Sequence, residues 1–419
     1  MSTRTCRARC PAPPSLRARL PRFVGGRADA AAALRRLKVA LVGAGSVGRN
    51  IALHLARFGG TLWLADRGRL KPESLLTHPL TGPADIGEPK ASNLARALRA
   101  CGFRGQLFVH DGPVEDLSLA AFADADLVVL ATDNLRTELW VGGVCLRLGK
   151  GLVHASVHGE TLVSQVRFFS GRVDAGCPAC GYTKAEWQAL ADQTTFSCSG
   201  FAAGARRAAD APPPTMSTSF LCSLAADLAM TQILRFALGL GAPVADTFLE
   251  HCGYTHRTVV APLARNPACP CDHTAYRQVR LGGQLGALTL RELTAAAGLG
   301  PASGRAPLSF TVDRFAFAEM AGCACSGQVP LGKFVLAGQA VGECPKCQHP
   351  IVAHPFYLHR PVPASVVEAV LDRPLHALGA GAARSVAVRG DDRAVLLLER
   401  RSRPEGVTPS FRTWPLGAK

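Results

Sequence analysis

The chain has 419 residues, room for two or three domains, with 48% hydrophobic and 19% charged residues, a globular balance. Its apolar runs fall short of a membrane span, and no basic start, apolar core and small-residue cleavage site is present, so the cytosol is the expected compartment. A net charge of +16 points to acidic partners, yet no Lys/Arg run with interleaved aromatics stands out, which weighs against nucleic acid.

Residues 1–36 are rich in Pro and Arg, with no acid before Asp29. They read as a flexible basic arm, a targeting segment or over-called start sequence, with a helical pattern at 28–37. An apolar run at 39–42 then reads as a buried parallel strand. It ends in Gly43-Ala44-Gly45-Ser46-Val47-Gly48, followed by a helical pattern (Val47, Ile51, Leu55) and a second apolar run closing on Asp66. Strand, glycine turn, helix, strand and acid form the dinucleotide-type fingerprint in its required order. The glycines let the backbone approach a polyphosphate, the helix N-terminus offers free N–H groups, and the acid can accept from ribose hydroxyls.

After a loop at 67–78, Gly87-Glu88-Pro89-Lys90 opens a helix to residue 100, with Pro89 suited to the first turn. Strands follow at 106–110 and 126–131. Thr132-Asp133-Asn134 lies at the carboxyl end of the latter, where open α/β sheets place their ligands. A helix at 136–148 and strands at 152–157 and 163–169 continue the alternation of a doubly wound sheet. Beyond it come a loop at 194–214 and a helix at 217–238, its apolar residues near Phe220, Leu221, Leu224, Leu228 and Leu234. The remainder carries a helix at 289–297, a Cys-rich module at 320–350 and a strand pair near 385–388 and 394–399. The expected organisation is an arm and helix (1–36), a Rossmann-like nucleotide domain (37–280) and an α+β C-terminal region with a zinc ribbon (281–419).

Gly43-x-Gly45-x-x-Gly48, Asp66, Gly87-x-Pro89-Lys90, Thr132-Asp133-Asn134 and the cysteine pairs described next resemble the ThiF/MoeB-type, ubiquitin-activating-enzyme-like adenylyltransferases over about residues 17–275. The resemblance implies ATP and Mg²⁺ as reactants, an acyl-adenylate on a protein's C-terminal glycine, and a homodimer. It implies Lys90 beside the phosphates, Asp133 as the Mg²⁺ ligand with Asn134 alongside, Asp66 on the ribose, and Arg22 or Arg19 as the arginine that dimers donate. The chemistry fits those residue types, because a carboxylate attacking a polyanion needs positive charge to offset repulsion. Taken singly, Lys90 reads better as a solvated helix lysine and Asp133 as a helix cap; taken as a set, the functional reading is favoured. Two cationic contacts of the family are missing. Its Asn-Leu-x-Arg box is Ser74-Leu75-Leu76-Thr77-His78 here, and Glu138 stands where an arginine is usual. Arg67, Arg69 or Arg136 are the local substitutes; if none compensates, the chain is a weakened enzyme or a nucleotide-binding relic.

Fifteen cysteines without an export signal argue for metal or catalysis rather than disulfides. Cys323-Ala324-Cys325 with Cys344-Pro345-Lys346-Cys347 has zinc-ribbon spacing, and Cys177 and Cys180 with Cys269 and Cys271 make a second quartet, in which His273 could replace one sulfur. Four protein ligands leave no open position, so both Zn²⁺ sites are expected to be structural. Cys198 lies in a Ser/Gly-flanked loop near Arg206-Arg207. It reads as a nucleophile of lowered pKa or as an incidental loop thiol. Cys101, Cys145, Cys222 and Cys252 read as packed apolar residues.

The expected function is ATP-dependent adenylation of the C-terminal glycine of a ubiquitin-like protein, then thioester formation at Cys198 and transfer to a conjugating enzyme. The finer resemblance is to the activating components of bacterial ubiquitin-like conjugation operons. The alternatives are activation of a sulfur carrier, peptide or tRNA, a zinc-stapled scaffold, and a nicotinamide oxidoreductase, which would leave Lys90 and Asp133 unexplained.

Overall fold

The computed structural model describes residues 29–191, 195–196, 202–203, 217–241, 245–299, 308–323, 325, 327–336, 339–344, 346–353, 357–391, 393–400 and 412–413. Arg19, Arg22, Cys198 and Arg206-Arg207 lie outside the described residues.

Helix α1 (Ala30–Arg36) leads into strand β1 (Lys38–Val42), helix α2 (Ser46–Ala56) and β2 (Thr61–Ala65). One turn of helix, α3 (Ser74–Thr77), interrupts the segment expected to be loop. Then come α4 (Lys90–Ala100), β3 (Gln106–His110), a short α5 (Ala120–Ala123), β4 (Leu127–Leu130), α6 (Leu135–Leu148), β5 (Gly151–His158) and β6 (Val163–Phe169). Helix α7 (Lys184–Ala191) and a two-residue pair, β7 (Thr195–Phe196) with β8 (Ala202–Ala203), precede α8 (Ser219–Leu238). A hairpin, β9 (Thr247–Cys252) and β10 (Arg257–Pro262), completes the first unit.

The sheet has the order β10-β9-β6-β5-β4-β1-β2-β3, with Arg412–Thr413 on its far edge. Strands β3, β2, β1, β4 and β5 run parallel; β6, β9 and β10 are antiparallel. The strand order reverses at β1, between β2 and β4, which opens a crevice at their carboxyl ends. One sheet face buries Val39, Leu41, Leu62, Leu64 and Val129 against α2, α4 and α8. The other buries Val42, Trp63, Val128 and Leu130 beneath α5 and α6. This alternation within each strand is the period-two signature of a sheet covered on both sides.

On α8 the apolar residues nearest the core differ from expectation. Leu221, Ala225, Ala226, Ala229 and Ile233 are buried, whereas Phe220 is 63% exposed. Small side chains face inward because α8 packs against both α2 and β5, and alanine lets backbones approach. Among the described residues α8 alone has the length and hydropathy of a membrane span, and half of its apolar window is buried within the fold.

The C-terminal region begins with β11 (Arg277–Leu281) and α9 (Leu290–Ala296), whose Thr289/Glu292 capping box fixes its start. A five-stranded sheet joins β11 to β20 (Ala394–Glu399), β19 (Ser385–Arg389), β12 (Ser309–Val312) and β18 (Val362–Pro363). Leu396 and Leu398 of β20 pack into the second face of the first sheet, while Val395 and Leu397 enter a separate core with Phe310, Phe317 and Phe334. A third sheet, β13 (Phe315–Cys323), β14 (Gly327–Leu336), β15 (Ala340–Glu343), β16 (Pro350–Ala353) and β17 (Leu358–His359), projects the second cysteine cluster.

Candidate nucleotide site and metal centres

Two of the three glycines of the turn are needed for shape. Gly43 has φ +99°, and a Cβ there would lie 2.4 Å from the Ala131 carbonyl oxygen; one on Gly48 would lie 2.0 Å from the Gly43 carbonyl. Among the described residues nothing lies within 4 Å of a Cβ on Gly45, so that position faces open space. The turn, with Gly45 as N-cap of α2, therefore packs β1, α2 and the end of β4 closely and leaves one side clear for a ligand.

A cavity of about 320 Å³ lies against it, lined by Gly43, Gly45, Asp66, Lys90, Asp133 and Asn134 among others. Gly48 lies behind this surface. Asp66 accepts from the Ala44 N–H through Oδ2 and from the Gly68 N–H through Oδ1, both at 2.6 Å. It thus ties the glycine turn to the loop after β2. Lys90 is the first residue of α4, its stem beside Gly68. Asp133 is exposed at the carboxyl end of β4. Asn134 is the helix cap: its side chain accepts from the Thr137 N–H at 3.1 Å. Cys222, read as a packed apolar residue, is buried but also lines the cavity, with Ser217 just ahead of α8.

The wall facing the turn is made by Ser74, Thr77 and His78. Ser46 Oγ donates to the Thr77 carbonyl, and Thr77 Oγ1 lies 2.9 Å from His78 Nδ1. Burial, then the charges of Lys90 and Arg49, push the His78 imidazole down to about 3, so it is neutral at physiological pH. Arg49 is fully buried behind this wall, and burial lowers its guanidinium to about 10. Of the substitutes expected for the missing arginine, Arg67 lines the cavity, while Arg69 donates to the Gly87 carbonyl at 2.8 Å.

Glu138 is buried on α6, with His154 Nδ1 at 3.2 Å and Arg167 Nη1 at 3.5 Å. Burial opposes its ionisation, but His154 and then Arg167 more than offset that and hold the carboxyl below its usual range. The acid that replaces an expected arginine is therefore internally paired, not aimed at the cavity.

The first metal cluster gathers Cys177, Cys180, Cys269 and His273, their ligand atoms all within 4.8 Å of one another. Cys180 Sγ lies 3.6 Å from His273 Nε2, and His273 Nδ1 lies 3.0 Å from the Val173 carbonyl. A bond from Nδ1–H to that carbonyl would leave Nε2 free as a ligand. Cys271 packs beside the quartet, against the cluster that holds Cys177. His273, in the C-x-C-x-H run, thus stands with three of the expected cysteines, and Cys271 lies next to them. In the second cluster Cys325, Cys344 and Cys347 converge, Cys325 and Cys344 at 3.4 Å. Cys323 closes β13, its side chain outside the described residues. Thiolate and imidazole donors at these separations suit Zn²⁺. Of the cysteines read as packed, Cys145 is buried, whereas Cys101 is exposed and Cys252 partly so.

Arg49 and His78 were not legible as site residues from their spacing. For Arg49 one signal was available: a cation in the first turn of a helix opposes the helix dipole, so its position asks for a reason.

Residues 18–271 match the ThiF family. The sulfur carrier protein adenylyltransferase of Thermus thermophilus is 26% identical over 57% of this chain and 82% of its own length. The adenylyltransferase and sulfurtransferase MOCS3 of Mus musculus is 33% identical over 28% of this chain, which spans only 26% of that protein. Among solved structures, E. coli MccB with ATP is similar at TM-score 0.46 and 17% identity, over 58% of this chain and 68% of that one. From residue 18 to 271 the chain belongs to the ThiF family, whose members are ATP-dependent adenylyltransferases.

Proposed function

We propose that this chain uses ATP to adenylate the C-terminal glycine of a ubiquitin-like protein in the cytosol. The observation that carries the reading is that the glycine turn, Lys90 and Asp133 face one cavity at the carboxyl ends of parallel strands. A carboxylate oxygen of the modifier attacks the α-phosphorus, the bond to pyrophosphate breaks, and an acyl-adenylate remains. The N–H groups at Gly45 and the start of α2 hold the phosphates, and Lys90 offsets the charge that develops on pyrophosphate. Asp66 keeps lone pairs for the ribose, since its two backbone bonds use about half of a carboxylate's capacity. Asp133 is the residue assigned to hold Mg²⁺, which would screen the phosphate charge.

Cys198 then takes the acyl group as a thioester, AMP leaves, and a conjugating enzyme receives the acyl group. The two zinc centres are structural, and a homodimer would bring Arg22 of each subunit toward its neighbour's phosphates. The activity of the Thermus relative favours a second reading, activation of a sulfur carrier, with the same first step and a different acceptor. The test is exchange of labelled pyrophosphate into ATP. Exchange that requires a ubiquitin-fold protein ending in glycine supports adenylation of such a protein; exchange driven by a small carboxylate, a peptide or tRNA alone overturns it. A reducible adduct that disappears in Cys198→Ala supports the thioester, and one that persists in that variant removes Cys198 from the mechanism.

A further inference from the structure

Among the described residues Arg49 is the one arginine or lysine that is fully buried, and its surroundings are unfavourable in three ways at once. It lies in the first turn of α2, at the positive end of the helix dipole. It is removed from water, where an unpaired charge is expensive. And its guanidinium has no carboxylate at ion-pair distance among the described residues. Nη2 donates to Asn93 Oδ1 at 2.8 Å, Nη1 to the Pro79 carbonyl at 3.4 Å, and Nε has no hydrogen-bond partner among the described residues. Asp85 and then Asp66 favour its charge from a distance, but burial outweighs them and each is bonded elsewhere. Asp85 and Glu88 pair with Arg96 at 2.6 and 2.5 Å, and Asp66 holds two backbone N–H groups. Lys90 adds another positive charge on the same side.

The placement gives this charge a direction. Arg49 directly follows Gly48, and its guanidinium lies under the Ser74–Pro79 segment, which Ser46 fastens to the glycine turn. That segment is the cavity wall opposite the phosphate cradle. In a poorly polarisable interior a charge acts across several ångströms that water would screen.

We propose that the polyphosphate of the bound nucleotide is the counter-charge of Arg49, which acts through the wall as a positioning residue without touching the ligand. The inference rests on the cavity being an ATP site. It makes the contribution of Arg49 scale with ligand charge, which a packing role would not. The test is calorimetric titration of adenosine, AMP and Mg·ATP into the full chain and two variants, Arg49→Gln and Asn93→Asp. The second leaves Arg49 in place and gives it an adjacent carboxylate. In both, ATP binding is expected to weaken about tenfold or more, a loss of about 1.4 kcal/mol or more, AMP binding less, and adenosine binding within about twofold. Equal losses for all three ligands, or unchanged ATP binding, overturn the inference. If Arg49→Gln does not fold, Asn93→Asp decides by the same criteria. A native chain that binds none of the three would instead remove the ATP reading beneath it.

Discussion

The two walls of the cavity are built from different materials. The glycine-turn wall is backbone: N–H groups at the start of α2, held in place by Asp66 and by glycines that admit close approach. The opposite wall is made of side chains, His78 at its surface and Arg49 behind it. Backbone donors do not titrate, so the first wall keeps its field at any pH at which the chain folds. The second depends on groups whose charge is set by burial. A site can therefore hold a generic ligand with one wall and carry its sensitivity to conditions in the other.

Four experiments would break or sharpen that contrast. Gly48→Ala drives a Cβ to 2.0 Å from the Gly43 carbonyl; since that oxygen belongs to packed backbone that cannot yield cheaply, a loss of about 3 kcal/mol of unfolding free energy is expected, read by urea denaturation. A loss below about 1 kcal/mol would mean the turn is looser than its geometry implies. Lys90→Ala should leave the fold intact and lower pyrophosphate exchange about a hundredfold; exchange within a few-fold of native would assign the phosphate charge to the opposite wall.

The third experiment concerns pH. His78 is held at about 3, against 6.5 for a free imidazole. Between those values the unfolded chain binds a proton that the folded chain refuses. Its contribution to stability is complete above about pH 6.5 and is lost as pH falls toward 3, by up to about 1.4 kcal/mol per pH unit. His78→Gln should flatten the stability profile between pH 6 and 4.5 by about 1 kcal/mol per unit; superimposable profiles would show that the wall does not titrate through His78. The smallest effect is expected from Cys344→Ser. It should lower bound zinc by one equivalent, by elemental analysis, and leave ATP affinity unchanged, because among the described residues the third sheet contributes none to the cavity. Weakened ATP binding would show that the ribbon supports one of the walls.

What could be read from the sequence follows the same division. The strands of the parallel sheet were legible because both faces are covered, so each is a short, almost wholly apolar run, as at 127–130. The glycine turn, Asp66, Lys90 and Asp133 were legible as a motif, since each is fixed to the end of a regular element. Hairpin β9–β10 was not, because its residues are only partly buried and show no clean alternation. The inward face of α8 was legible in part: Leu221 is buried and Leu228 and Leu234 pack against the core, but the alanines that close packing selects carry no hydropathy signal. Arg49 was hidden for another reason: periodicity marks apolar residues as inward and assigns charges to solvent, and a buried guanidinium breaks that rule. The approach of His273 to Cys180 turned on three-dimensional proximity that spacing alone left open.

The clasp formed by Asp66 has a consequence for timing. By holding Ala44 and Gly68 together, it places two loops in their binding arrangement as soon as the chain folds. The entropy of ordering those loops is then lost during folding and does not recur at each encounter with nucleotide. Capture should accordingly be a single fast step whose rate follows ionic strength rather than viscosity-independent loop rearrangement. Loosening the clasp with Asp66→Asn would show itself first as a slower, two-step association.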